Sequence, residues 1–338
     1  MSSTASPRVS PERIRQLAHG FSAPLILEAG ICNGVFDVLD EGPKTVAQVA
    51  ALTGASERGL RILMNALVGF EFLSKDGEQR YALTPESATF LVSTKPGFQG
   101  GIIKHCSEQL IPKWLQLNRI VATGAPAQKL ASQEGAEFFE SFVADIFPNS
   151  YPAAQVAAGA LGIENSTDPV KVLDIGTGSG VWGIAMAQKS PKVTVTAVDW
   201  PNVLNVTRKM TQKFGLADRF QYVAGDMAEV DFGSGYNIAT IGQILHSEGP
   251  QRSQHLLRKV ADALAPGGTV VIAEFLVNQE RSGPLNGLIF AVNMLVNTEK
   301  GDTFSFEEIT GWLEAAGFTD VRSLEAPSPS PLILATKK

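Results

Sequence analysis

The sequence predicts a mixed α/β protein: a mainly helical N-terminal part with a winged-helix pattern, then a Rossmann-like domain on a mostly parallel sheet. Three observations predict it. After Thr167-Asp168-Pro169, apolar strand-like runs alternate with helix-like stretches. The glycine-rich segment Gly176-Thr177-Gly178-Ser179-Gly180 falls where the first of these strands hands over to a helix. Upstream, two helix-like stretches precede two short strand-like runs, the order of helix, turn, helix and wing.

The elements follow in order. Residues 1–12 are Ser/Pro-rich and are expected to be disordered. From Arg13 the spacing turns helical, with Ile14, Leu17, Ala18 and Phe21 on one face, and a second apolar stretch runs from Leu25 to Leu39. Thr45 and Gln48 form a capping-box start, in which each side chain satisfies the other's backbone N–H. A helix from Glu57 to Gly69 turns Leu60, Leu63, Met64 and Leu67 inward. Phe72-Leu73 and Tyr81-Ala82-Leu83 flank the turn Lys75-Asp76-Gly77, which reads as a hairpin. Residues 13–105 are therefore expected to form the winged-helix-like domain, and 106–165 a helical connector.

Residues 166–338 are expected to form the second domain. Strands are predicted at Val170 to Ile175, Val193 to Val198, Phe220 to Ala224, Tyr236 to Ile241 and Thr269 to Phe275, with last strands at Val321 and at Leu332 to Thr336. Helices are predicted at Val181 to Gln188, Val203 to Phe214, Gln251 to Ala265 and Leu285 to Val296. Pro266-Gly267-Gly268 is expected to end the third of these, and Leu285 to Val296 to be buried. Ser305 and Glu308 open a further helix with a second capping box.

Composition excludes several classes. The 338 residues are 44% apolar and 18% charged, which is ordinary globular composition with ample core material. A net charge of −6 without a basic cluster argues against nucleic acid. Arg58 and Arg61 on the second helix of the winged-helix pattern, beside Glu57, make a thin phosphate surface. Cys32 and Cys106 give neither a disulfide framework nor zinc spacing, and no metal is expected. No secretory leader or membrane-length apolar run stands out, so a cytoplasmic protein is expected.

The chemistry gathers around three acids. Asp174 stands just before the glycine loop, Asp199 ends the second predicted strand, and Asp226 follows the third in Gly225-Asp226-Met227. An acid at Asp199 can accept from both ribose hydroxyls, and one at Asp226 from an adenine amine, with Met227 offering the ring a soft apolar surface. Asp174 would repel a pyrophosphate but suits an amino group and a sulfonium, and Val181 departs from the dinucleotide pattern. The loop therefore favours S-adenosylmethionine (SAM) over a nicotinamide cofactor. The bland alternative is that these acids cap helices and turns.

With Asp199-Trp200-Pro201, Ile244-Leu245-His246 and Pro266-Gly267-Gly268, the order resembles class I SAM-dependent methyltransferases. The winged-helix front end narrows the resemblance to O-methyltransferases of the caffeic-acid, hydroxyindole and bacterial polyketide type. That resemblance implies a mostly parallel seven-stranded sheet and a glycine loop, with Gly176 and Gly178, holding the amino-acid part of SAM. It implies Asp199 for the ribose, Asp226 and Met227 for adenine, Trp200 near the adenine and Gln243 near SAM. It also implies a homodimer through the N-terminal domain.

Methylating a phenol needs its proton removed, because a phenol of pKa about 10 supplies little phenolate at pH 7. His246 follows the predicted strand Tyr236 to Ile241 and Glu274 closes the neighbouring strand Thr269 to Phe275; both should face one crevice, with Glu274 holding one imidazole nitrogen and leaving the other free. The resemblance agrees, with His246 as general base and Glu274 as its orienting carboxylate. Two positions depart from the family pattern: His-Asp-Trp is replaced by His246-Ser247-Glu248, and a second family carboxylate falls near Thr303, one residue from Asp302. His19, His105 and His255 are read as surface or packing residues. Phe139, Phe142, Phe147, Tyr151, Phe290 and Met294 are candidate walls for a flat, hydroxylated aromatic acceptor, or ordinary core.

Three function classes stand at this point. The first is a small-molecule O-methyltransferase. The second is a SAM-retaining enzyme of another reaction type, such as a decarboxylase, hydroxylase or pericyclase. The third is a ligand-responsive DNA-binding regulator.

Overall fold

The computed structural model describes residues 9–127 and 143–338. Phe139 and Phe142, and all but the last four residues of the 1–12 segment, lie outside the described residues. The chain divides into two compact units, Met1–Ile111 and Pro112–Lys338.

The first unit opens with α1 (Glu12–Ala18), α2 (Ser22–Cys32) and α3 (Val35–Asp40). A short strand β1 (Lys44–Thr45) leads into α4 (Val46–Thr53), whose capping box is present: Thr45 N–H donates to Gln48 Oε1 at 2.8 Å, and Gln48 N–H to Thr45 Oγ1. Helix α5 (Glu57–Gly69) buries Leu60, Met64 and Leu67 at the expected helical spacing, and Leu63 is half-buried. The hairpin β2 (Leu73–Lys75) and β3 (Arg80–Leu83) joins β1 in an antiparallel sheet of order β1-β3-β2. The core of this unit centres on Phe36, Met64, Leu67 and Tyr81. The apolar face predicted from Arg13 onward is exposed among the described residues: Ile14 is 71% exposed, Leu17 72% and Phe21 62%.

The second unit is built on a seven-stranded sheet: β4 (Val170–Ile175), β5 (Val193–Asp199), β6 (Phe220–Ala224), β7 (Tyr236–Gly242), β8 (Leu264–Ala273), β11 (Phe318–Leu324) and β12 (Leu332–Lys337). Its order is β11-β12-β8-β7-β4-β5-β6. The five strands β4 to β8 run parallel, and β12 is antiparallel to both its neighbours. Central strands in such a sheet are covered on both faces, so they read as near-continuous apolar runs. Val172, Val195 and Ile238 face one core cluster, whereas Leu173, Ile175, Val198 and Ile241 face the other. Outside the main sheet, β9 (Leu276–Val277) pairs with β10 (Phe304–Ser305).

Helices Phe147–Ala160 and Val181–Lys189 supply the first cluster. Helices Leu245–Ala263 and Phe306–Ala315 supply the second. The Ser305–Glu308 capping box is present at the start of the latter.

Three expectations need correction. The helix expected from Gln251 begins at Leu245 and kinks at Gly249 (φ 73°), where Pro250 removes a backbone donor. The same helix ends at Ala263. Pro266-Gly267-Gly268 then lies in β8, where the pairing jumps from Tyr236–Leu264 to Ile238–Thr269. Helix Leu285–Asn297 is not buried along its length, since Leu285 is 71% exposed. None of the described helices is long and apolar enough to cross a membrane.

Candidate active site

The chain runs β4, β5, β6 to one side and returns through β7 to the other side of β4. Such a reversal opens a crevice at the carboxyl ends of the strands. The candidate residues follow those ends: Asp174 within β4, Asp199 on β5, Asp226 after β6, Gln243 after β7 and Glu274 after β8.

In the glycine loop, Gly176 and Gly178 have φ of +60° and +54°. A side chain at Gly176 would also place its Cβ 2.3 Å from Ile244 Cδ1, and one at Gly178 would meet Val143. Both sterics and backbone therefore require glycine there. Asp174 lies beneath this loop and is fully buried. Oδ2 accepts from Thr177 Oγ1 at 2.7 Å and from the Gly183 N–H at 3.1 Å, while Oδ1 accepts from Thr240 Oγ1 at 2.7 Å. Burial pushes its pKa up to about 6, against the lowering effect of these donors. The carboxylate expected to face a ligand amino group is instead enclosed, fastening β4, the loop and β7 together.

Asp199 is placed differently. Oδ2 accepts from the Gly178 N–H at 2.9 Å, and Oδ1 from the Trp200 N–H at 2.7 Å. Each oxygen keeps a further lone pair, a pair of acceptors matched to a vicinal diol. Desolvation, helped by nearby Asp174, raises its pKa to about 6. Trp200 caps helix Pro201–Lys213 and packs on Val143 and Val203.

Asp226 accepts from the Ala228 N–H at 2.8 Å and from Arg252 Nη2 at 3.0 and 3.2 Å. Met227 is half-buried beside it. Arg252 and Lys259 were not anticipated from the sequence. Lys259 Nζ donates to the carbonyls of Met227, Ala228 and Val230, each at 2.9 Å. Their seven-residue separation on one helix was the available signal; the partner loop was not readable.

Gln243 has φ +63°, and its buried Oε1 lacks a hydrogen-bond partner among the described residues. A non-glycine residue in that region and an orphaned buried acceptor are each unfavourable, and such features cluster where a ligand completes the site. The orphaned amide, the glycine cradle and the two open lone pairs of Asp199 fit a polar nucleoside ligand.

On the neighbouring strands, Glu274 Oε1 accepts from the backbone N–H groups of Ile244 at 2.9 Å and Leu245 at 2.6 Å. Glu274 Oε2 lies 2.6 Å from His246 Nδ1, and both residues are buried. A carboxylate accepting at Nδ1 places the ring proton there and leaves Nε2 as the basic nitrogen. The Phe290 ring meets the imidazole edge-on at 4.8 Å, and Phe275 stacks on Phe290 at 3.8 Å. Asp302 faces Arg281 at 3.7 Å and donates its backbone N–H to the His246 carbonyl, whereas Thr303 is buried with Oγ1 lacking a partner among the described residues. Neither places a second carboxylate on the imidazole. Of the candidate walls, Phe290 is beside His246. Phe147 and Tyr151 instead stack with each other and with Phe214 in the sheet core.

The chain is similar to known proteins over nearly its whole length. Residues 15–93 match the O-methyltransferase dimerisation domain, and 164–319 the O-methyltransferase domain. The chain is 29% identical to 3-hydroxy-5-methyl-1-naphthoate 3-O-methyltransferase of Streptomyces sahachiroi, covering 97% of this chain and 95% of that one. A solved structure described as an O-methyltransferase from Nostoc punctiforme superposes with a TM-score of 0.88 at 29% identity, over 98% of this chain and 100% of that one. Human N-acetylserotonin methyltransferase, solved with SAM, shares the fold at a TM-score of 0.83 and 24% identity, over 99% of both chains. The chain belongs to the O-methyltransferase family in which a dimerisation domain precedes the O-methyltransferase domain.

Proposed function

We propose that this O-methyltransferase moves the methyl group of SAM to a phenolic hydroxyl of a small aromatic acceptor, with His246 as general base. The observation that carries this reading is the 2.6 Å contact between His246 Nδ1 and Glu274 Oε2. When bound, SAM supplies an electrophilic methyl on a sulfonium. The chain does the rest. Asp199 accepts from the ribose hydroxyls, and Asp226 from the adenine amine beside Met227. Gly176 and Gly178 allow the amino-acid part to approach the backbone, and Gln243 offers its orphaned amide oxygen to it.

Among the described residues no group bonds Nε2 of His246, so that nitrogen can take the acceptor's proton as its oxygen attacks. Glu274 then stabilises the imidazolium. A positioned base contributes about 10²- to 10⁴-fold. Phe290 and Phe275 offer flat apolar surface to an aromatic acceptor. The hydroxynaphthoate named for the Streptomyces relative is an acceptor of this chemical kind.

The test is transfer of labelled methyl from SAM to a panel of phenols, by wild type and His246→Ala. Product from wild type, lost in the variant while both bind SAM, is expected. Undiminished transfer by the variant would remove His246 from the chemistry. The exposed Ile14, Leu17 and Phe21 are assigned to a homodimer interface. Sedimentation of Leu17→Ser/Phe21→Ser should show monomer where wild type shows dimer.

A further inference from the structure

The helix that holds His246 in its first turn does more than carry the base. We propose that Arg252 and Lys259, two turns apart on helix Leu245–Ala263, are positioning residues that clasp the loop after β6 and aim Asp226 at the 6-amino group of adenine. The inference rests on the SAM reading above and assigns residues that reading leaves idle.

Two sets of contacts carry it. Arg252 Nη2 spans both oxygens of Asp226, at 3.0 and 3.2 Å, while the Ala228 N–H holds Oδ1 at 2.8 Å. A carboxylate has about four acceptor positions, so these three bonds leave one open, on Oδ2. Arg252 therefore holds the carboxylate turned without closing it. Arg252 is itself held, because its Nε donates to Glu248, whose side chain is only 9% exposed. Glu248 stands where the family pattern has tryptophan, so this departure supplies the carboxylate that orients Arg252.

Lys259 acts on the backbone of the same loop. Three carbonyls, from Met227, Ala228 and Val230, converge on Nζ at 2.9 Å each, and the ammonium lies 4.4 Å from the Phe232 ring centre. The ammonium thus uses all three of its N–H donors on one turn. Within that turn the Asp226 carbonyl accepts from Glu229 and Val230 N–H, each at 2.9 Å. One helix in this way ties the adenine end of the site to the residue that takes the proton.

The test is calorimetric titration of wild type, Arg252→Met, Glu248→Gln and Lys259→Met with S-adenosylhomocysteine and with its analogue lacking the 6-amino group. Arg252→Met should bind S-adenosylhomocysteine about tenfold more weakly and the deaminated analogue within about twofold of wild type. Glu248→Gln should show the same selectivity at about threefold, which keeps the test open if Arg252→Met fails to fold. Lys259→Met should weaken both ligands about fivefold, because it loosens the backbone that carries Met227. Equal loss of both ligands in Arg252→Met, or no loss of either, overturns the role of Arg252. Wild-type affinity for both ligands in Lys259→Met removes Lys259 from the clasp. A wild type that binds neither ligand overturns the SAM reading itself, a distinct result.

Discussion

Asp174 and Asp199 on one side of the sheet edge, and Glu274 on the other, are all buried or half-buried carboxylates, yet they are wired for different work. Asp174 gives three of its about four acceptor positions to Thr177, Gly183 and Thr240 and is fully buried, so its charge acts inward, on the loop. Asp199 is held by two N–H groups and keeps one lone pair open on each oxygen. Glu274 uses one oxygen on backbone N–H groups and gives the other to His246. The difference teaches that burial alone does not assign a role: what each carboxylate has left after its internal bonds does. At Asp199 the remainder is hydrogen-bond acceptance, and at Glu274 it is the hold on an imidazole.

The sharpest way to break this contrast is Glu274→Ala. The imidazole would lose its anchor, and kcat should fall about 10²- to 10³-fold while SAM affinity in a binding titration stays near wild type. An equal loss of SAM affinity would mean that the two halves are one unit. Asp174→Ala comes next. It leaves buried donors on Thr177, Gly183 and Thr240 unpaired, and chemical denaturation should show a loss of about 3 kcal/mol. Loss of SAM binding with undiminished stability would instead make Asp174 a direct ligand. Asp199→Asn should weaken SAM binding about 30-fold, with kcat at saturating SAM within a few-fold of wild type.

The smallest effect is one of pH. Because the unliganded Asp199 has a pKa of about 6, it is protonated below that value and accepts poorly from a diol. Affinity for SAM should therefore fall by up to about tenfold per pH unit below pH 6, and a flat profile in Asp199→Asn would assign the effect. Stability of the unliganded chain responds with the opposite sign. Asp174 and Asp199 hold their protons more tightly folded than unfolded, since about 6 lies above the ordinary carboxylate value of 3.8. Their contribution to stability thus grows as pH falls from about 6 towards 4, and is lost as pH rises through 6. Thermal unfolding without ligand across that range checks the sign.

Much of the fold was legible from local rules. Strands Val170–Ile175 and Phe220–Ala224 and helix Glu57–Gly69 begin and end where periodicity placed them. Both capping boxes formed, because a cap depends on residues three positions apart. The convergence of His246 and Glu274 was legible too: parallel strands put their carboxyl ends on one edge, and each residue follows such an end. The Gly249 kink and the Pro266-Gly267-Gly268 bulge were not. A proline or glycine signals interruption without saying whether a helix bends, ends or passes into a strand.

What the sequence determined by itself was therefore the list of chemical groups and the edge on which they gather. Tertiary structure decided what each group has left to offer. Thr240 lies 66 positions from Asp174, and Arg252 lies 26 from Asp226. Sheet order and helix packing bring such pairs together, and no local spacing encodes them. Hydrogen-bonding capacity is finite, so those distant partners determine how much of it each carboxylate keeps for a ligand.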